Sequence, residues 1–313
     1  MNDAGAEAPS VVLRSPAKIN LGLRIVGRRT DGYHEIRSLF SPISLFDEIV
    51  LSPSIDGKTS VTYVTQKGSP LHFQNDTVSR VLEVLSETGL GITPLHIKIT
   101  KLIPHGAGLG GGSSNAGIVL KFLYERLAPT AENTGGGQVL IRLASQIGAD
   151  VPFFVGRGPA LVSGIGEQIT GVKTEPFAVV VAVPPFPVNT RQAYLWFDQE
   201  CELTRPDADA TTKMVQEAEA SGTSGSYPRV INLREIIEIL KNDLEKPVEA
   251  RHPEIGILKE ALRTRGALGT LMSGTGSSVY GVYRSLSEAI TAREKLQLHF
   301  PSSYAFFSCE TLN

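Results

Sequence analysis

The segment PHGAGLGGGSSNAG, Pro104–Gly117, gathers the residue types best able to hold a phosphate. Glycine reaches positive φ without steric cost, and its missing side chain lets main-chain N–H groups close on a ligand. Ile118 and Phe122, and Val119, Leu123 and Leu127, then recur at helical spacing. The glycines therefore open onto a helix N-terminus, where free N–H groups and the helix dipole attract an anion. Ser113 or Ser114 is the expected N-cap. A tight strand-to-helix turn needs one or two glycines, so Gly106, Gly108, Gly110, Gly111 and Gly112 together point to a polyphosphate.

Two other nucleotide motifs compete for this segment. Gly106-x-Gly108-x-x-Gly111 meets the dinucleotide fingerprint, but that fold needs a second parallel strand after the helix, whereas PTAENTGGGQ and another helical pattern follow. The Walker spacing is nearly met, yet Gly112 stands where its lysine belongs. Charge on a transferred phosphoryl group must come from elsewhere, and Lys18 is a candidate. Phosphoryl transfer asks for a positioned nucleophile, a proton acceptor and neutralised charge. Asp150, in GADVPFF, could take the proton from a hydroxyl, with Lys18 nearby to lower its pKa and hold that hydroxyl in line. Alone, Asp150 reads as a turn residue and Lys18 as a solvated strand residue; the loop gives them weight.

Two further segments carry weaker signals. MSGTGSSVYG, Met272–Gly281, reads first as a hairpin turn and second as a phosphate or substrate contact. In RRTDGYHEIRSLF, Tyr33 and His34 follow an Asp-Gly turn, an aromatic and an imidazole able to stack on and hydrogen-bond a base.

These residues need elements to position them. From Val11 to Ile25 the chain reads as a half-buried strand, with Ile19, Leu21, Leu23 and Ile25 opposing Lys18, Asn20, Gly22 and Arg24. Leu95, Ile97 and Ile99 repeat the alternation, and Lys101 continues their apolar parity, which places it where the strand emerges into a cleft or solvent. A helix over Val139–Ile147 stops at Gly148, leaving Asp150 at an element boundary. The apolar run Phe177–Val183 opens a series of predicted elements in the order βαββαβ with an extra helix, the split-βαβ pattern of a ferredoxin-like domain. The polar, Gly/Ser-rich stretch Arg205–Tyr227 is expected to be a mobile excursion from it.

Bulk composition narrows the partners. At 313 residues the chain exceeds the usual size of one hydrophobic core, so two domains are expected. A net charge of −2 gives no basic field for nucleic acid or an anionic membrane, leaving small molecules. No apolar run is long enough to cross a bilayer, MNDAGAEAPS lacks the order of a signal peptide, and Cys201 and Cys309 form no disulfide framework. A cytoplasmic location is the expectation.

Taken in order, SPAKINLGL, GRRTDGYHEIRSLF, IPHGAGLGGGSSNAG, GADVPFF and LMSGTGSSVYG make the chain resemble the GHMP kinase superfamily, from about Leu13 to the last predicted strand. PAKINL with DGYHE is similar to the branch whose acceptor is CDP-methylerythritol. The resemblance implies an α+β, two-domain kinase. Residues 11–175 would form a ribosomal-S5-domain-2-like α/β ATP-binding domain, and 176–313 a ferredoxin-like domain, with ATP and the acceptor between them. It implies Lys18 and Asp150 as the catalytic pair. Pro104, His105, Gly106, Ala107, Gly108, Leu109, Gly110, Gly111, Gly112, Ser113 and Ser114 would form the ATP phosphate loop, and Asn75 or Asp76 would meet adenine. Asn20, Tyr33 and His34 are the implied substrate contacts, with Tyr194 stacking on cytosine opposite Tyr33 and Lys101 beside the ligand. ATP and Mg²⁺ are the implied cofactors, with the metal's protein ligands and the choice of monomer or homodimer left open. The rivals are another GHMP kinase, acting on homoserine, mevalonate or a sugar, and a nucleotide-binding regulator, which would be expected to lose the lysine or the aspartate.

Overall fold

Two long strands, Val11–Arg28 and His34–Pro53, pair with each other and open the chain. The computed structural model describes residues 10–74, 76–128, 136–156, 158–200, 210–220 and 230–313. Two compact units divide the chain. One takes the chain up to Pro16, Phe46–Ile103 and Gly111–Val155, and the other takes Ala17–Leu45, Pro104–Gly110 and Gly156–Asn313.

In the first unit, Leu95–Lys101 runs parallel to Ser60–Thr65 and antiparallel to Glu48–Pro53, and Pro70–Leu71 edges the outer side. The expected alternation holds, for Ile97 and Ile99 are fully buried while Lys98 is exposed. Their face is covered by the helices Thr77–Glu87, Gly111–Leu127 and Gly136–Ile147, which supply Val78, Val81, Leu85, Val119, Leu120, Leu123 and Ala144 to the same core. Asp76 caps the first helix, accepting from Val78 N–H at 2.9 Å and Ser79 Oγ at 2.5 Å, and it takes the Tyr63 hydroxyl as well. Gly117 admits the short helix Val151–Val155, since a Cβ there would meet Phe154 at 2.7 Å.

The second unit is built on a four-stranded antiparallel sheet in the order Gly269–Met272, Val279–Tyr283, Ala178–Val183, Ala305–Glu310. Ala178–Val183 lies inside the sheet and every one of its residues is buried, as its unbroken apolar run requires. The helices Glu254–Arg263 and Leu286–His299 add Ile255, Leu258, Leu262, Ala289, Ala292 and Leu296 to its core. Chain order and pairing are those of the split-βαβ domain. A further antiparallel set joins Ser38–Phe40 to Ala160–Val162 and Ala160–Ser163 to Gln168–Gly171.

Two expectations are corrected. The first strand is not half-buried, because Ala17 to Ile25 is covered on both faces, with Lys18 at 4% and Asn20 at 1% exposure. Its polar side chains tolerate this by bonding within the protein, Lys18 to Asn20 and Arg24 to Asp243 at 3.0 Å. Within the expected excursion, Ala210–Ala220 is a helix, with Thr211, Met214 and Val215 buried along one face; the flanking residues lie outside those described.

Candidate active site

The glycine-rich loop hangs from the end of the strand Leu95–Lys101. Asp47, wholly buried, accepts the N–H groups of Leu102 at 2.8 Å and Ile103 at 2.9 Å and so fixes the chain's exit from the sheet. Gly106, Gly108 and Gly110 follow at φ of 67°, 74° and 70°, a conformation that alternating glycines make cheap. Successive loop carbonyls face protein donors in the second unit. Gly106 O accepts from Val188 N–H at 3.2 Å, Ala107 O from Ser278 Oγ at 2.5 Å, Gly108 O from Ser273 Oγ at 3.1 Å, and Leu109 O from Lys18 N–H at 2.9 Å. The amides do the opposite. Among the described residues, no N–H from Gly106 to Gly110 has a protein acceptor. A run of main-chain donors with its carbonyls turned away is an anion nest.

The helix Gly111–Leu127 begins directly after the nest, so neither Ser113 nor Ser114 is its N-cap; both lie inside its first turn. Glycine's freedom at Gly110 turns the chain without a side-chain cap. Ser114 is fully buried and accepts from Ser15 Oγ at 2.7 Å, while Ser113 and Pro104 are half-buried and His105 is exposed. Met272–Gly281 is the expected hairpin, and its turn also clamps the nest. Asn242, not singled out in the sequence, holds that turn through Met272 O at 2.9 Å and Gly274 O at 2.7 Å. No spacing rule could have found it, since these contacts are thirty residues apart or more.

Lys18 and Asn20 occupy the second unit beside this clamp. The Lys18 ammonium donates to Asn20 Oδ1 at 2.6 Å and lies 4.5 Å from the centre of the Phe40 ring. Asn20 is fixed at three atoms: Oδ1 by Lys18, Nδ2 by Ser38 Oγ at 3.2 Å, and its carbonyl by the hydroxyl of the buried Tyr280 at 2.7 Å. A Cβ on Gly274 would stand 3.2 Å from Asn20 Oδ1 and 3.5 Å from Lys18 Nζ, so the absent side chain leaves room beside the ammonium. Burial pushes the Tyr280 phenol well above its ordinary range, which keeps it a neutral donor.

Asp150 belongs to the first unit, half-buried in the turn between Gly148 and the helix Val151–Val155, and Val151 N–H closes that turn on Gly148 O at 3.2 Å. Lys101, in the same unit, does not end in open solvent: its ammonium pairs with Asp47. The second unit brings together part of the expected base-recognition set. His34 stacks on Tyr194, with centroids 4.8 Å apart and planes at 19°, and its Nε2 meets Asp198 Oδ1 at 2.7 Å. Tyr33 is exposed on the Asp31–Gly32 turn, where Gly32 has φ 89°. Asp198 escaped the sequence reading, although it follows Tyr194 by one helical turn on Thr190–Glu200. Asn75 lies outside the described residues, and the Asp76 carboxylate is engaged by its helix cap and Tyr63. Among the described residues no three His, Cys, Asp or Glu side chains gather as a metal cage, and no helix is long and apolar enough to cross a membrane.

Comparison with known proteins agrees with this geometry. Residues 76–158 match the GHMP kinases N terminal domain and residues 226–302 match the GHMP kinases C terminal family. A 4-diphosphocytidyl-2-C-methyl-D-erythritol kinase from Nitratidesulfovibrio vulgaris is 40% identical over 302 residues, 96% of this chain and 97% of that protein. One from Symbiobacterium thermophilum is 40% identical over 268 residues, covering 85% and 88%. The crystal structure of a 4-(cytidine 5'-diphospho)-2C-methyl-D-erythritol kinase superposes with a TM-score of 0.70 at 31% identity, over 97% of this chain and all of that one. A homoserine kinase from Cytophaga hutchinsonii, at 19% identity and a TM-score of 0.67, shares the fold. With its glycine-rich nest, its split-βαβ unit and this extent of identity, the chain belongs to the GHMP kinases and, within them, to the 4-diphosphocytidyl-2-C-methyl-D-erythritol kinase family.

Proposed function

We propose that this kinase transfers the γ-phosphoryl group of ATP to the 2-hydroxyl of 4-diphosphocytidyl-2-C-methyl-D-erythritol (CDP-ME), giving the 2-phosphate and ADP, a step of non-mevalonate isoprenoid precursor synthesis. The observation that carries this reading is the nest at Gly106–Gly110, five amides that have no protein acceptor among the described residues, ahead of a helix. Such a nest suits the triphosphate. The identity to relatives bearing this name supports the choice of acceptor.

In the proposed step the 2-hydroxyl oxygen bonds to the γ-phosphorus as the bond to the ADP oxygen breaks, and the hydroxyl proton passes to the Asp150 carboxylate. Lys18, aimed by Asn20, holds that hydroxyl and offsets the developing charge. His34, with Tyr194 and Tyr33, takes the cytosine end. Mg²⁺ would enter on the ATP phosphates, since the described residues offer no cage of their own.

The test is a coupled ADP-release assay with CDP-ME, homoserine, mevalonate and a sugar as acceptors. Release that depends on CDP-ME supports the proposal. Turnover confined to another acceptor, or ATP binding without turnover on any, overturns it.

A further inference from the structure

The second unit carries a recess that no step of the proposed reaction uses. It lies between the turn that follows the helix Glu254–Arg263, the end of the strand Val279–Tyr283 and the helix Leu286–His299, and it encloses about 400 Å³. Each of these elements brings a cation to it: Arg265 stands in the turn, Arg284 directly after the strand, and Lys295 on the helix. Lys295 continues a stripe begun by Ser287 and Thr291 at intervals of four, so three successive turns of the helix face one wall. Among the described residues that line the recess, Glu288 is the one carboxylate.

Cations on a solvated face commonly find a carboxylate close by, as Arg263 does with Glu260 at 2.8 Å. Those of the recess do not. Arg265 is half-buried and held by Nη1 alone, which donates to Ala261 O at 3.0 Å and reaches Thr264 Oγ1 at 3.4 Å. Among the described residues its other nitrogens, the Arg284 guanidinium, the Lys295 ammonium and the Ser287 hydroxyl have no acceptor. A guanidinium has five N–H donors and an ammonium three, so the walls present a large surplus of donors. Glu288 does not answer it, because its carboxylate accepts the main-chain N–H of Arg284 at 3.1 Å while its own N–H is capped by Ser285 Oγ at 3.3 Å. Thr291 donates to Ser287 O at 3.0 Å. The phenol of Tyr283, buried beneath these groups, donates to Leu262 O at 3.4 Å, and burial pushes it up to about 12, so it adds no negative charge at neutral pH.

We infer that this recess is a second anion site, separate from the glycine-rich nest, and that it takes a small molecule bearing a phosphate or diphosphate group. A concave space of this volume is on the scale of small-ligand pockets. Cations from three elements can surround a compact group with charge on several oxygens, and such charge-assisted hydrogen bonds are the strong ones. Arg265, already fixed on the end of its helix, loses little freedom when the anion arrives.

The experiment titrates inorganic diphosphate into the full chain by calorimetry, with ADP present to occupy the nest. Diphosphate should bind under these conditions. Replacing two cations together, Arg284→Gln with Lys295→Gln, should weaken it by about tenfold or more, the scale of lost charge-assisted hydrogen bonds, and leave KM for ATP unchanged. Glu288→Gln should act in the opposite direction, since it removes the negative charge and keeps an oxygen for the Arg284 N–H. Equal diphosphate affinity in the natural chain and the double variant overturns the inference. So does binding that vanishes at about 0.15 M salt, which would mark a solvated basic face screened by ions. The double variant alters this recess alone, so the result stands whether or not the nest takes ATP.

Discussion

The Lys18 ammonium donates to Asn20 Oδ1 at 2.6 Å across two positions of one strand face that is closed to solvent. Asn20 is itself anchored by Ser38 and Tyr280, so the lysine is aimed by a chain of buried hydrogen bonds. Asn20→Ala takes one acceptor from the buried Lys18 ammonium and one donor from Ser38 Oγ, at a cost of about 1–3 kcal/mol in stability. Turnover should fall by about tenfold to a hundredfold, with KM for ATP little changed, because the lysine loses its direction and not its charge. Steady-state kinetics beside a denaturant titration checks both; unchanged kcat in a destabilised variant would make the contact purely structural.

Asp150→Asn keeps size and shape and removes the proposed proton acceptor. Turnover is expected to drop by about a hundredfold or more while ATP binding stays near its natural value. The residue sits in a half-buried turn ahead of a short helix, so the amide should be accommodated without loss of fold. Single-turnover kinetics with direct ATP binding separates the two quantities, and unchanged turnover removes Asp150 from the chemistry.

How far the site could be read from the sequence depended on how local its determinants were. The nest was legible because positive φ is a local demand that only glycine meets cheaply, and three of its glycines take it. The split-βαβ order was legible for the same reason, since Ala178–Val183 and Val279–Tyr283 are unbroken apolar strands. Partnership was not. Lys18 reads as a solvated residue until Asn20, itself held by Ser38 and Tyr280, accepts from it, and Tyr280 lies 260 positions from the carbonyl it meets. Lys101 reads as an emerging strand end because Asp47, its partner, is 54 positions away. The N-cap failed differently: Ser113 and Ser114 are good capping residues, but Gly110 turns the chain earlier and draws both into the helix.

Gly108 is where the nest and its clamp touch most closely. An added Cβ would fall inside contact distance of Ser273 O and 3.0 Å from Gly276 O, both main-chain atoms that cannot swing aside. Its φ of 74° adds about 1–2 kcal/mol for any residue bearing a side chain. Gly108→Ala should therefore lower stability and, by pushing the loop off Ser273, weaken ATP by about tenfold or more, the scale of a lost charge-assisted hydrogen bond. Gly91→Ala, where an added Cβ would meet no atom within 4 Å, is the control and should cost little of either. Equal effects from the two would disprove the clamp.

Alkaline pH should destabilise the fold through groups that titrate late because they are buried. Burial pushes the Cys309 thiol from 9.0 up to about 12 and the Tyr283 phenol from 10.0 up to about 12, and it raises Tyr280 as well. In each case the folded state holds its proton more tightly than the unfolded chain, so this stabilisation is intact below about pH 9 and is lost as pH rises from there toward 12. Denaturation midpoints should be flat near pH 8 as far as these groups are concerned and fall above pH 9 to 10, and Tyr283→Phe should flatten part of the fall. The same burial predicts that Cys309 resists alkylation in the native protein at neutral pH and reacts only after unfolding, as peptide mapping after iodoacetamide treatment would reveal. Rapid native labelling at Cys309, or a midpoint that holds steady to pH 11, would mean that these side chains are not sealed as the fold requires.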